Sequence, residues 1–131
     1  MKRQEITFED GQGELHIEVH TNPMGQETGI RRQMNRYFTE VFQKKISVQI
    51  ENTEIWTMEP TDHLLFLILH AFKHFMAGGL GIRQVLDICL FCKRYQEEIN
   101  WEYISDSLEN VEGEKFFTDM LYIGNKYLGF D

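Results

Sequence analysis

Carboxylates and imidazoles alternate along one short stretch of the chain, ELHIEVHT at residues 14–21. In a β-strand, residues two apart share a face, so Glu14, His16, Glu18 and His20 are predicted to lie on one side and apolar residues on the other. A carboxylate between imidazoles can bind a metal ion or a substrate. The same pattern is also typical of an antiparallel sheet with one solvated face, and both interpretations stay open.

Three histidines form a second set, at helical spacing. Pro60 suits the first position of a helix, and at about 100° per residue His63, His70 and His74 fall within a sector of about 60°. They are either hydrogen-bonded histidines between packed helices or contacts for phosphates, a substrate or a metal ion. The zinc-protease motif is excluded, because Ala71 stands where that motif needs a glutamate.

A Gly-rich turn, AGGLG, separates this helix from a second one that carries Arg83, Gln84 and Asp87. Arg83 and Asp87 are four residues apart, which is the spacing of a surface ion pair worth a few tenths of a kcal/mol. If the turn folds the helices antiparallel, both residues come level with His74 and can form a functional cluster with it. In that cluster Asp87 would fix a histidine tautomer, and Arg83 would donate hydrogen bonds to a phosphate or carboxylate. A structural zinc site of His70, His74 and Asp87 is a further alternative.

The elements that position these residues indicate an α+β fold. Alternating apolar residues predict a β-hairpin over residues 4–21, and helical spacing predicts an amphipathic helix from Ile30 through Lys45. The stretches SVQIEN and TEIWTME predict a second hairpin, so the strands form small antiparallel or mixed sheets.

The C-terminal half is predicted to be mainly helical. It holds the two helices between Pro60 and Arg94 and two more within residues 97–111 and 113–130, which gives about five helices in all. We expect a single domain over residues 1–131, with a hairpin–helix–hairpin part at 1–59 and a helical part at 60–131.

Composition and charge exclude several classes. A hydrophobic content of 42% supports a buried core, and no apolar stretch approaches the roughly 18 residues of a membrane span. The net charge of −8, concentrated in residues 97–131, argues against nucleic-acid binding. Cys89 and Cys92 are expected to be reduced core residues, because two ligands are too few for zinc and mid-helix thiols lack the activation of a redox pair. A cytoplasmic protein is the default expectation.

Three blocks of the chain resemble an uncharacterised nucleotidyltransferase-like family within the polymerase-beta-type nucleotidyltransferase superfamily. IEVH at residues 17–20 resembles the family's strand with a carboxylate and a histidine, and MEPTDHLLFLILHAFKH resembles its proline-initiated helix with spaced histidines. GGLGIRQVLDICLF resembles its Gly-rich turn followed by Arg-Gln and an Asp. The resemblance spans nearly the whole chain.

The resemblance implies transfer of a nucleotidyl group from a nucleoside triphosphate such as ATP to an unknown acceptor. In that superfamily a Gly-Ser turn and an Asp-x-Asp pair hold two Mg²⁺ ions, and a third carboxylate completes the site. Glu18 matches that third carboxylate, as a catalytic residue and metal ligand. The residues implied to bind substrate are His20, His70, His74, Arg83, Gln84 and Asp87.

The chain departs from this pattern because no Gly-Ser turn with Asp-x-Asp precedes Glu18. It is therefore expected to be the C-terminal portion of a longer enzyme, or a degenerate protein, and to be catalytically incomplete by itself. The alternatives are a non-enzymatic protein-interaction module, which can form homo-oligomers through an exposed strand edge, and a structural domain that binds metal through its histidines.

Overall fold

The computed structural model describes residues 5–13, 15–20, 22–25 and 29–131. Over these residues the chain has the predicted α+β fold, with two hairpins followed by a mainly helical C-terminal half. In chain order the elements are β1 (Glu5–Glu9), β2 (His16–His20), α1 (Ile30–Arg36), β3 (Ile46–Ile50), β4 (Thr53–Thr57), α2 (Pro60–Ala77), α3 (Ile82–Tyr95), α4 (Trp101–Asn110) and α5 (Glu114–Leu128).

Within the described ranges, each hairpin forms its own two-stranded antiparallel sheet. In the first, Phe8 lies opposite Ile17 and Thr7 opposite Glu18. The antiparallel alternative is thus confirmed and the mixed one is not formed. Neither face of this hairpin is buried, since Ile17 on the apolar face is 46% exposed and the side chain of Glu18 on the polar face is 45% exposed. Glu14, predicted to share the polar face, lies outside the described residues.

Helix α2 begins at Pro60, as predicted. The carboxylate of Glu59 accepts hydrogen bonds from the backbone amides of Thr61 (3.2 Å) and Asp62 (2.7 Å), which satisfies two donors of the first turn. The helix ends before Gly78, whose φ of 125° is open to glycine and strained for other residues. The fully buried side chains of the helix's apolar face are Leu64, Leu65, Ile68 and Leu69.

Helix α3 packs against both α2 and α5, and α4 completes the core. Gly124 in α5 lies directly against Cys89 in α3, where a Cβ atom would overlap the sulfur. Both cysteines are free. Burial raises the pKa of the Cys89 thiol and raises that of Cys92 to about 12, so both thiols stay protonated at neutral pH. Among the helices of the described ranges, none is long and apolar enough to cross a membrane.

Helix α1 is shorter than predicted. The predicted extension to Lys45 is wrong, because the helix ends at Arg36 and residues 37–43 form turns. The amide of Phe38 donates to the carbonyl of Asn35, three residues back, and the hydroxyl of Thr39 donates to the carbonyl of Arg36 (3.2 Å). These short-range bonds replace the i to i−4 pattern and tighten the chain.

An ion pair ties this turn region to α2. Lys44 Nζ lies 3.1 Å from Oδ1 and 3.0 Å from Oδ2 of Asp62, whose side chain is 1% exposed. The hydrogen bond to Asp62 raises the pKa of Lys44. Because β3 and β4 follow Lys44 directly, this contact also sets where the second hairpin leaves the helical part.

Candidate functional site

The polar face of β2 carries a chain of carboxylates and imidazoles. His16 Nδ1 lies 3.2 Å from Glu9 Oε1, and His16 Nε2 lies 3.1 Å from Glu18 Oε1. Glu18 Oε2 lies 3.5 Å from His20 Nε2. Ionised carboxylates only accept hydrogen bonds, so both contacts of His16 are hydrogen bonds when its ring carries both protons.

The environment of Glu18 favours its ionised form. The hydrogen bond with His16 lowers the pKa of Glu18 most, desolvation opposes it, and the contact with His20 lowers the pKa further. Glu18 therefore presents a charged carboxylate at neutral pH, which is the form required of a metal ligand or a general base.

The histidine stripe of α2 is formed as predicted. His70 Nε2 and His74 Nε2 are 3.3 Å apart, and their rings meet edge to face with centroids 4.6 Å apart. This contact is a hydrogen bond when one nitrogen carries a proton and the other does not. His63, about two turns before His70, packs instead against Phe91 of α3 with ring centroids 4.8 Å apart.

His70 is the most perturbed histidine among those described. Its ring stacks on Phe66 with centroids 5.5 Å apart. Burial, and then the positive charges of Lys73, His74 and His20, lower the pKa of His70 to about 4. At neutral pH His70 is therefore an uncharged imidazole, able to donate one hydrogen bond and accept another.

Charged groups on β2 and α1 act electrostatically on this part of α2. His20 on β2 acts on His70, and Arg31 at the start of α1 acts on Lys73, whose pKa is lowered first by burial and then by that arginine. We define the basic cluster as His20, Arg31, His70, Lys73 and His74. Glu18, in contact with His20, lies at its edge. Three elements thus contribute basic groups to the cluster, and β2 also carries the Glu18 carboxylate.

Lys73 and Arg31 were missed by the sequence reasoning. Lys73 stands between His70 and His74 in HAFKH, so its position within that segment was an available signal. Arg31 carried none, because it belongs to an ordinary run of surface basic residues.

The α3 residues contribute less directly. The side-chain oxygen of Gln84 accepts a hydrogen bond from the amide of Gly81 (3.0 Å) and so caps α3. Arg83 and Asp87 are exposed, and within the described residues neither makes a hydrogen bond or ion pair with the other, with His70 or with His74. Within the described residues, no direct contact therefore joins Arg83 or Asp87 to His70 or His74.

The helical periodicity of α3 puts Asp87 on nearly the same side of the helix as Phe91. Phe91 faces α2 through its contact with His63. At about 100° per residue, Asp87 lies about 40° from Phe91 around the helix and Arg83 about 80°. The assignment of Arg83, Gln84 and Asp87 as substrate-binding residues stays a prediction.

The residues present do not fit a Mg²⁺ pair by themselves. Mg²⁺ prefers an octahedron of oxygen ligands, whereas Glu18 is flanked by the nitrogens of His16 and His20. Over the part of the chain that the structure describes, no group of three or more His, Cys, Asp or Glu residues could hold a metal ion. Glu18 can supply one ligand oxygen, and no catalytic step through a metal is derived for this chain.

Comparison with known proteins adds one family. A family model described as an uncharacterised nucleotidyltransferase matches residues 2–129, which is nearly the whole chain. No curated protein and no solved structure matches it.

Proposed function

Since the chain belongs to this family of uncharacterised nucleotidyltransferases, we propose that it supplies the substrate-side wall of a site for nucleotidyl transfer to an acceptor. In that reaction an acceptor oxygen attacks the α-phosphorus of a nucleoside triphosphate, and the bond to the β-phosphate breaks to release pyrophosphate. The observation that carries the proposal is the contact of the Glu18 carboxylate with His20, which belongs to the basic cluster.

The basic cluster suits the phosphates of the nucleotide. Arg31 offers a fork of donors and Lys73 an ammonium group, and both kinds of group favour phosphate oxygens. Uncharged His70, in contact with His74, adds a hydrogen bond without further repulsion among the cations. Partial burial of Lys73 strengthens its attraction for an anion relative to a fully solvated lysine.

Glu18 is suited to act where the acceptor oxygen attacks the nucleotide. Its charged carboxylate, held between two imidazoles, can accept the proton of an acceptor hydroxyl or contribute one oxygen to a metal ion. Because one carboxylate cannot hold two Mg²⁺ ions, we expect the chain not to complete the transfer alone. The single domain, the cytoplasmic setting and the use of ATP with Mg²⁺ belong to this proposal.

Titration with ATP tests the phosphate assignment. We expect the imidazole signals of His70 and His74 to shift in a saturable manner in NMR spectra, with weak affinity. Lys73→Gln should weaken this binding by about tenfold, because it removes a charge that contacts phosphate. Lys115→Gln is the matched control, since the side chain of Lys115 is exposed on α5 and pairs with Asp119. Binding that both variants leave equal would refute the assignment.

Self-association is a second candidate, favoured by the exposed face of the first hairpin. Among the described residues of this hairpin, four large apolar residues are exposed: Phe8 (56%), Leu15 (54%), Ile17 (46%) and Val19 (44%). A two-stranded hairpin is marginal in water without a covering surface, so we propose a second copy of this chain as the cover. Light scattering should show dimers that Ile17→Ser dissociates. A wild-type monomer at high concentration would contradict this candidate.

A further inference from the structure

A cavity lies beside the histidines, between β4 and the turns that follow α1. Its volume is about 370 Å³, within the range of about 300–1,000 Å³ typical of small-molecule pockets. Its walls are largely apolar, with aromatic rings on two sides. The apolar lining residues are Phe38, Val41, Phe42, Trp56 and Met58.

Two of these rings are available to a ligand. Trp56 is 59% exposed and Phe42 is 77% exposed, although both line the cavity. Exposed aromatic faces are suited to stack on a planar ring, which buries apolar surface on both partners. The cavity therefore favours a flat aromatic occupant over a branched aliphatic one.

Among the described residues that line the cavity, Lys45 carries a fixed positive charge. Lys45 Nζ lies 5.5 Å from the centroid of the Trp56 ring and donates a hydrogen bond to the carbonyl of Phe42 (3.1 Å). An ammonium group has three donors, so this bond leaves two of them for a ligand. A ring stacked on Trp56 would place an anionic substituent next to this ammonium.

The cavity adjoins the basic cluster. His20 lines it and also acts on His70. On the other side, Phe38 packs edge to face on Phe66 with centroids 5.8 Å apart, and Phe66 stacks on His70. A molecule in the cavity therefore reaches His20, whose neighbour Glu18 is the candidate base.

We propose that this cavity binds the acceptor of the transfer, and that the acceptor is a planar aromatic molecule with an anionic group. The role as acceptor rests on the proposed function. A nucleobase is also planar, but it carries no negative charge for Lys45, and the phosphates of the nucleotide are already assigned to the basic cluster. Lys45, a lining cation that is not part of the basic cluster, fits a second anion.

The two tryptophans of the chain give a direct reporter. In ¹⁵N-labelled protein, the indole N–H signal of Trp56 reports on the cavity. The signal of Trp101, whose indole donates to the carbonyl of Gln96 (3.0 Å) outside this cavity, is the internal control. With 2-naphthoate as the probe, we expect a saturable shift of the Trp56 signal and no comparable shift of the Trp101 signal.

Two lysines provide matched variants. Lys45→Gln should weaken 2-naphthoate binding by about fivefold to tenfold, because it removes the cation next to the ring. Lys126→Gln should leave the affinity unchanged, although Lys126 makes a similar contact with Tyr122, 5.4 Å from its centroid, on α5. Equal affinity in the two variants would overturn the role of Lys45.

Further probes separate the chemical requirements. If neutral 2-naphthol binds as tightly as 2-naphthoate, the proposed requirement for an anionic group is wrong. If cyclohexanecarboxylate binds as tightly as 2-naphthoate, the proposed requirement for an aromatic ring is wrong. ATP that displaces 2-naphthoate from Trp56 would make the cavity a nucleobase site and overturn the acceptor assignment. ATP that moves the imidazole signals while 2-naphthoate stays bound supports it. If 2-naphthoate binds and ATP moves no imidazole signal, the site for an aromatic anion stands and the acceptor role falls with the proposed function.

Discussion

Protonation of His70 should destabilise the folded protein in mild acid. Folding lowers the pKa of this imidazole from its ordinary value of 6.5 to about 4, through burial first and then through the positive charges of Lys73, His74 and His20. Between these two values the unfolded chain binds the proton and the folded chain does not. The contribution of neutral His70 to stability is therefore complete above pH 6.5 and is lost as the pH falls toward 4.

The magnitude follows from the same two values. One pKa unit corresponds to about 1.4 kcal/mol, and linkage gives a loss of about 2 kcal/mol at pH 5 relative to pH 7.5. His70 is only half-buried, and water that relaxes around the charged ring reduces this effect. We therefore expect about 1 kcal/mol at pH 5.

Urea denaturation at several pH values, for the wild type and His70→Gln, measures this contribution. Glutamine does not titrate, so the difference in free energy of unfolding between the two proteins should change by about 1 kcal/mol, against the wild type, between pH 7.5 and pH 5. The constant part of the difference reports lost packing on Phe66 and does not bear on the argument. An NMR titration of the His70 ring gives its pKa directly. A ring that titrates near 6.5, or a difference that stays constant with pH, would refute the reasoning.

Two further predictions concern packing and charge. Gly124→Ala should destabilise the protein by about 1–2 kcal/mol in thermal unfolding, because the new methyl group overlaps the sulfur of Cys89. In a Cys89→Ala background the same change should become neutral or stabilising by up to ~1 kcal/mol, since alanine favours a helix; equal effects in both backgrounds would contradict the overlap. Lys44→Met should cost about 2 kcal/mol in urea denaturation, because it leaves the buried carboxylate of Asp62 unpaired. Lys45→Met, one residue on, should cost far less, and similar losses would show that the ion pair contributes little.

Short-range signals in the sequence predicted several elements correctly. Pro60 marked the start of α2, and Gly78 in the AGGLG turn marked its end, because a fixed φ and a positive φ are properties of single residues. Period-two alternation located the first hairpin, and two short strand-like stretches located the second. The same kind of signal failed after Arg36, where apolar residues at helical spacing fold as turns. Spacing alone does not reveal side-chain hydrogen bonds that compete with a helix.

For the candidate site, the sequence by itself determined which groups share a face of one element. Glu18 and His20 share a strand face because side chains alternate, and His70 and His74 share a helix stripe because four residues make about one turn. These relations follow from backbone geometry within a few residues, so no knowledge of the rest of the chain is needed.

Only the tertiary structure decided which faces meet. It brought His20 within electrostatic range of His70 and Arg31 within electrostatic range of Lys73, and it placed the ring of Trp56 in a cavity that His20 also lines. It left both faces of the first hairpin exposed, although the alternation alone predicted that one of them would be buried. The physical reason is that contacts between distant segments depend on how whole faces pack and on which charges can be buried together, as Lys44 and Asp62 are.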